Sequence, residues 1–215
     1  MFLSYHEPYA ETAYKRLTAR FDVHWVKDID GIFAAHKEAS NRVQSAMFWV
    51  VDADADVDEN FTFNYIPDVY DQEVVHVWAS MNPITGQEYG YGGVKLFNTQ
   101  QVRDANSWGL DFTTGLSSRF KAMPELSCVT KFNTDAYSTW RSAFRESIKL
   151  SLNADDESTQ RLEGWLNPVP EAEFKEEAKR GAEEGVAFAK KFINKPLMLA
   201  KINDYDWLKE KYTEG

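Results

Sequence analysis

The chain is poor in the residues that staple or interrupt a polypeptide. It has one cysteine, Cys128, in 215 residues. A single thiol excludes an internal disulfide framework and a cysteine-rich zinc site; Cys128 reads as a small buried thiol before it reads as a nucleophile. Seven prolines and eleven glycines form no linker, and neither an internal repeat nor a low-complexity run is visible. No apolar run approaches the ~20 residues of a membrane span. The N-terminus, MFLSYHEPYAE, has polar and charged residues at once instead of the apolar core of a signal peptide, and points to a cytoplasmic protein. Positive charge is scarce: 24 Lys and Arg against 34 Asp and Glu give a net charge of -10. That balance argues against a polyanion-binding protein.

What is present is globular. The chain is 43% hydrophobic, 14% aromatic and 27% charged, which excludes wholesale disorder. Charge is uneven along it. Residues 1–89 carry 6 Lys and Arg against 15 Asp and Glu, residues 90–150 carry 8 against 5, and residues 151–215 carry 10 against 14. The middle third is therefore where an anionic partner is welcome.

The first half alternates short apolar runs with helix-like stretches. Phe2–Tyr5, Val23–Val26 and Met47–Val51 read as strands, and Glu7–Phe21 and Gly31–Ser45 as the helices between them. A β-α-β-α-β order of this kind predicts a mainly parallel, Rossmann-like sheet with ligands at the carboxyl ends of its strands. Val74–Ala79 and Gly93–Phe97 read as further strands. Asp135–Leu152 reads as a helix, with Trp140, Phe144 and Ile148 recurring every fourth residue. Phe174, Ala178, Gly181, Gly185, Phe188 and Phe192 mark a last helix whose small residues let another element approach closely, the ordinary pattern of core packing. The expectation is one α/β domain over 1–215, with a ligand-binding half at 1–97, a second half at 98–170 and C-terminal helices at 171–215.

The most informative segment is FWVVDADADVDE, in which Asp52, Asp54, Asp56 and Asp58 alternate directly after an apolar strand. Gathering carboxylates at a buried strand end is costly unless a cation compensates them. Oxygen-only ligands favour Mg²⁺, Mn²⁺ or Ca²⁺ over zinc. An EF-hand loop counted from Asp52 needs Gly at its sixth position and Glu at its twelfth, where Val57 and Phe63 stand. An acidic solvated loop is the bland alternative. An Asp-nucleophile phosphatase is another, although its motif usually sits on the first strand with Thr or Val where Asp56 stands. A non-enzymatic module binding carbohydrate or divalent cations is a third.

Four segments in order resemble the GT-A fold of nucleotide-sugar glycosyltransferases: SYHEP at Ser4–Pro8, KDIDG at Lys27–Gly31, AHKEA at Ala35–Ala39 and WVVDAD at Trp49–Asp54. The run from FWVVDADAD through HVWASMNPITGQEYGYGGVKLF is similar to glycosyltransferases of tailed bacteriophages. This resemblance implies a GT-A-like domain, a UDP-sugar as the foremost donor, Mn²⁺ or Mg²⁺ as cofactor, and host-cell cytoplasm as the location. It also implies a transferase whose acceptor is a hydroxyl, that of 5-hydroxymethylpyrimidine in phage DNA among the candidates. Tyr5, Glu7 and Asp28 or Asp30 are implied to hold base and ribose, Asp52 the ribose or the metal, and Asp54 the metal. His36 and Lys37 are implied to meet donor oxygens. They depart from the family pattern there, as does His6.

Transfer with inversion needs a carboxylate or His to take the acceptor's proton. In the resembled fold that base follows a Gly-rich strand at a helix start. Asp111 in GLDFTTG fits, and fits a helix N-cap equally. Asp135 in FNTDAYSTWR is a second candidate with a stronger claim to be only a cap. The glycines and tyrosines of GQEYGYGG at Gly86–Gly93 suit a lid or a plain hairpin loop. Arg141, Arg145 and Lys149 step by four along one helix face. They read either as contacts to donor or nucleic-acid phosphates or as a solvated face.

Overall fold

The computed structural model describes residues 1–90, 92–106, 112–116, 119–153 and 155–214. The chain forms two compact units: Met1–Met81 with Glu88–Thr130, and Asn82–Gln87 with Lys131–Gly215. The sheet of the first unit continues as far as Thr130, through a strand the composition does not advertise.

In the first unit the elements run β1 (Phe2–Ser4), α1 (Ala10–Thr18), β2 (Trp25–Lys27), α2 (Ile32–Asn41), β3 (Met47–Asp52), β4 (Ala55–Val57), β5 (Val75–Met81), β6 (Glu88–Tyr89), β7 (Val94–Asn98), α3 (Thr99–Asp104), α4 (Phe112–Leu116) and β8 (Phe120–Thr130). They build a mixed sheet in the order β2-β1-β3-β7-β5-β8-β4, with β6 on β5. β1 is parallel to β2 and β3, and β5 to β8. β7 runs antiparallel between β3 and β5, and β4 antiparallel to β8. The architecture is thus α/β, as the alternating elements predict, with parallel and antiparallel pairs in one mixed sheet flanked by helices.

Both sheet faces are covered, which is why β3 reads as a continuous apolar run. Phe2, Val51, Trp78, Val94 and Leu96 point to one face and pack with Ala10 and Leu17 of α1. Leu3, Phe48, Val50, Val77 and Phe97 point to the other and pack with Ala39 of α2 and Val102 of α3. Successive residues of each strand therefore supply opposite cores, as the two-residue period of a strand requires. β8 escapes the sequence pattern because of Pro124. Trp78 pairs with Met123 but Ala79 with Leu126, so Pro124 and Glu125 sit in a bulge, the place a sheet tolerates proline.

The second unit is helical: α5 (Ala136–Ser151), α6 (Asp156–Leu166), α7 (Lys175–Phe192), α8 (Pro196–Leu199), a 3₁₀ turn (Ala200–Asn203) and α9 (Tyr205–Glu214). α5 and α7 meet through the small residues anticipated above. A Cβ on Gly181 would lie 2.5 Å from the Trp140 carbonyl oxygen, and one on Gly185 2.6 Å from that of Phe144. Among the described residues no helix is long and apolar enough to cross a membrane.

Candidate functional site at the carboxyl edge of β1 and β3

β1 sends its chain one way to β2 and the sheet then returns past β1 to β3, so the strand order reverses between β1 and β3. Open α/β sheets bind ligands in the crevice outside the carboxyl ends of the strands at such a switch point. Three loops of the sequence-predicted site leave from this edge. Leu3 pairs with Asp52, the Ala53 amide donates to the Leu3 carbonyl at 2.9 Å, and the Asp28 amide donates to the Ser4 carbonyl at 3.0 Å. Tyr5 and Glu7, Asp28 and Asp30, and Asp52 and Asp54 are thereby delivered to adjacent strand ends.

The loops are tightly specified. Glu7 Oε2 accepts from the Tyr5 amide at 2.6 Å. The Tyr5 and His6 rings lie edge to face at 4.4 Å. His6 and Asp28 hold left-handed backbone, φ 64 and φ 57, one residue or two beyond their strands, and His6 Nδ1 lies 3.9 Å from Asp28 Oδ1. Left-handed backbone in two non-glycine residues persists where surrounding structure over-determines it.

The acidic run is an alternation. Ala53 and Ala55 point inward, 3% and 2% exposed, while Asp52, Asp54 and Asp56 are half-buried between them. The chain compensates most of this charge itself. Lys95 Nζ of β7 donates to Asp52 Oδ2 at 2.7 Å, with its own side chain only 4% exposed. Asp56 is held by the Arg16 guanidinium of α1, and Asp58 Oδ1 accepts from the Asn60 amide at 2.8 Å. Arg20, one turn beyond Arg16, donates to the Asp58 and Phe61 carbonyls and ties the following loop to α1. Lys95 was the cation to look for. It is a lone lysine in the otherwise apolar strand of GGVKLF, and a buried ammonium requires a partner.

Several expected positions serve the fold instead. His36 is fully buried, its Nδ1–H donating to the Ile32 carbonyl at 2.7 Å. Its ring packs on Phe112 at 4.3 Å and Phe97 at 5.3 Å. It faces the core because it is on the sheet side of α2. Lys37 Nζ donates to the Arg103 carbonyl at 2.5 Å, binding α2 to α3. Asp135 caps α5: its Oδ1 accepts from the Ser138 amide at 2.8 Å and its Oδ2 from the Ser138 hydroxyl at 2.7 Å. Burial alone would push its pKa up, but the hydrogen bonds from Ser138 and Thr134 and the Arg141 charge hold it below the usual carboxylate range. A carboxylate so held is a poor proton acceptor. Arg141 and Arg145 belong to the helical unit, where both guanidiniums lie over the Tyr205 ring, at 4.9 and 5.4 Å. Arg145 Nε also donates to the Ile202 carbonyl at 2.7 Å. Asp111 lies outside the described residues. Cys128 is buried, and burial raises its thiol pKa, the condition of an inert thiol.

No family model matches the chain, and no curated protein matches it. Among solved structures, the crystal structure of HddC from Yersinia pseudotuberculosis shares 15% identity with it at a TM-score of 0.34, over 60% of this chain and 68% of that one. A likeness at that level bears on neither fold nor function.

Among the described residues no group of three or more His, Cys, Asp or Glu is arranged to hold a metal ion. Asp52 is engaged by Lys95, and Asp54 beside it at this edge is half-buried. One or two carboxylates completed by water and substrate phosphates is the usual way proteins hold Mg²⁺. A cavity lined by Glu73, Asn98, Gln101 and Asp104 opens elsewhere. It lies toward the opposite edge, where Asn98 pairs with Met47 at the start of β3. None of the candidates among the described residues lines it.

Proposed function

We propose that the chain is a glycosyltransferase that takes a nucleotide sugar at the carboxyl edge of β1 and β3. One observation carries this reading. The Asp52-Ala53-Asp54 turn ends β3 at the point where strand order reverses, directly beside the Tyr5–Glu7 loop that ends β1. A nucleotide sugar needs an aromatic or carboxylate surface for base and ribose and a polarising group for its diphosphate. Tyr5, Glu7, Asp28 and Asp30 are assigned the first role.

Asp54, with the donor's own phosphate oxygens, would hold Mn²⁺ or Mg²⁺; when bound, that ion supplies Lewis-acid stabilisation of the departing diphosphate. In the transfer step the acceptor oxygen bonds to the anomeric carbon. The bond from that carbon to the phosphate oxygen breaks, and the nucleoside diphosphate leaves with the electron pair. The acceptor's proton passes to a base if configuration inverts, and Asp111 retains that assignment. Asp135 does not, because its oxygens serve the α5 cap.

The acceptor is proposed to be the hydroxyl of a hydroxymethylated pyrimidine in DNA. The sequence resemblance and the net positive segment 90–150 favour it, and the overall charge of -10 opposes it. The test is incubation of the protein with Mn²⁺, labelled UDP-sugars and either modified or plain DNA. Label on modified DNA alone supports the reading. Label on a glycan or small molecule with none on DNA removes the acceptor, and nucleotide-sugar binding without transfer to any acceptor removes the enzyme.

A further inference from the structure

We infer that the face of α5 carrying Arg141 and Arg145 is an anion site that takes a phosphate group on the Arg141 guanidinium. The site lies within the helical unit and is independent of the donor site proposed above. Tyr137, Arg141 and Arg145 follow one another at intervals of four along α5, so they share a face. Tyr205, the first residue of α9, lies over that face, and the Tyr137 hydroxyl donates to its carbonyl at 3.4 Å. Rings and guanidiniums alternate there. Arg141 lies 5.5 Å from the Tyr137 ring centre and 4.9 Å from that of Tyr205, and Arg145 lies 5.4 Å from Tyr205.

A guanidinium packed on ring faces keeps the N–H groups at its edge, the fork that meets two oxygens of a phosphate. Among the described residues no carboxylate forms an ion pair with Arg141. Its polar contact is the Tyr137 hydroxyl, and its Nε is buried without a hydrogen-bond partner. The neighbouring carboxylates are engaged elsewhere. Asp135 accepts from the Ser138 amide and hydroxyl, Asp204 from the Trp207 amide and Lys201, and Glu146 from Arg161. Arg145 is held in place by the Ile202 carbonyl at 2.7 Å and Asn203 Oδ1 at 3.1 Å. Like charges one turn apart oppose a helix, and an anion between them reverses the effect.

The test is calorimetric titration of inorganic phosphate, and separately of a short oligothymidylate, into the full chain as wild type, Arg141→Gln and Arg141→Lys. Wild type is expected to bind at least one probe saturably. Arg141→Gln is expected to weaken that binding roughly tenfold. Arg141→Lys keeps the charge without the fork and is expected to fall between the two; it also decides the question if Arg141→Gln fails to fold. Binding of the oligonucleotide alone makes the ligand a phosphodiester, and binding of inorganic phosphate alone makes it a free phosphate group. A stack that serves packing only leaves wild type without saturable binding of either probe, or leaves all three proteins with equal affinities. Either result overturns the inference.

Discussion

Leu3 and Asp52 face each other across the parallel β1/β3 pair, and the amide after Asp52 closes on the Leu3 carbonyl at 2.9 Å. That register sets the candidate site. It puts the residues following Leu3 and those following Asp52 side by side at one edge, so a segment near position 5 and one near position 54 meet without any long-range coincidence of loops. A shift of one residue would exchange the two faces of β3 and turn Asp52 toward the positions now held by Val51 and Ala53.

The close approach of α5 and α7 gives a sharp contrast between glycines. Gly181→Ala sets a methyl 2.5 Å from the Trp140 carbonyl oxygen, a backbone atom. It is expected to destabilise by about 1–3 kcal/mol in urea unfolding. Gly164→Ala also meets an atom at 2.5 Å, but that atom is Oε1 of Gln87, the far end of a flexible side chain. It is expected to be nearly neutral. Equal losses for the two would contradict the packing described.

His36 separates a core role from a ligand role. Truncating it to Ala empties a fully buried volume among Phe97 and Phe112 and is expected to cost about 2–4 kcal/mol. Nucleotide-sugar affinity of the folded variant, measured well below its melting temperature, is expected to match wild type. Lost affinity with unchanged stability would return His36 to the site.

The Asp135 cap makes stability depend on pH in a stated direction. Its pKa is lower folded than unfolded. Its contribution is therefore complete above the ordinary carboxylate value, near pH 4, and is lost as pH falls through the lower folded-state value. Asp135→Ala is expected to cost about 1 kcal/mol at pH 7 and less at pH 3, by urea midpoints at the two pH values. Transfer activity of the folded variant is expected to be unchanged. A large loss in kcat would make Asp135 the base after all.

The five strands named from the sequence are all present, since Phe2–Ser4, Trp25–Lys27, Met47–Asp52, Val75–Met81 and Val94–Asn98 are short, apolar and bounded by turn residues. Direction was not legible. Nothing local in GGVKLF shows that β7 enters the sheet antiparallel, because direction is set by which strands flank it. β8 was hidden by Pro124, whose bulge interrupts the alternation.

The ends of β1, β2 and β3 were expected at one edge, because parallel strands gather their carboxyl ends, and they lie there. The helix side chains were not legible. Whether His36 faces crevice or core depends on the rotation of α2, which its mixed apolar and polar sequence leaves open. Lys95 was legible in principle, as a charge inside an apolar strand, and its partner was within the very run of carboxylates that asked for a cation.

The proposed binding of an activated sugar at the carboxyl edge of β1 and β3 turns on Asp54. The direct measurement is calorimetric titration of UDP-sugar in the presence and absence of Mn²⁺ into wild type and Asp54→Asn. The expected result is saturable, Mn²⁺-enhanced binding to wild type and loss of the Mn²⁺-dependent part in Asp54→Asn, each measured well below the variant's own melting temperature. Identical Mn²⁺-enhanced binding by the two proteins, or no binding by either, would contradict it.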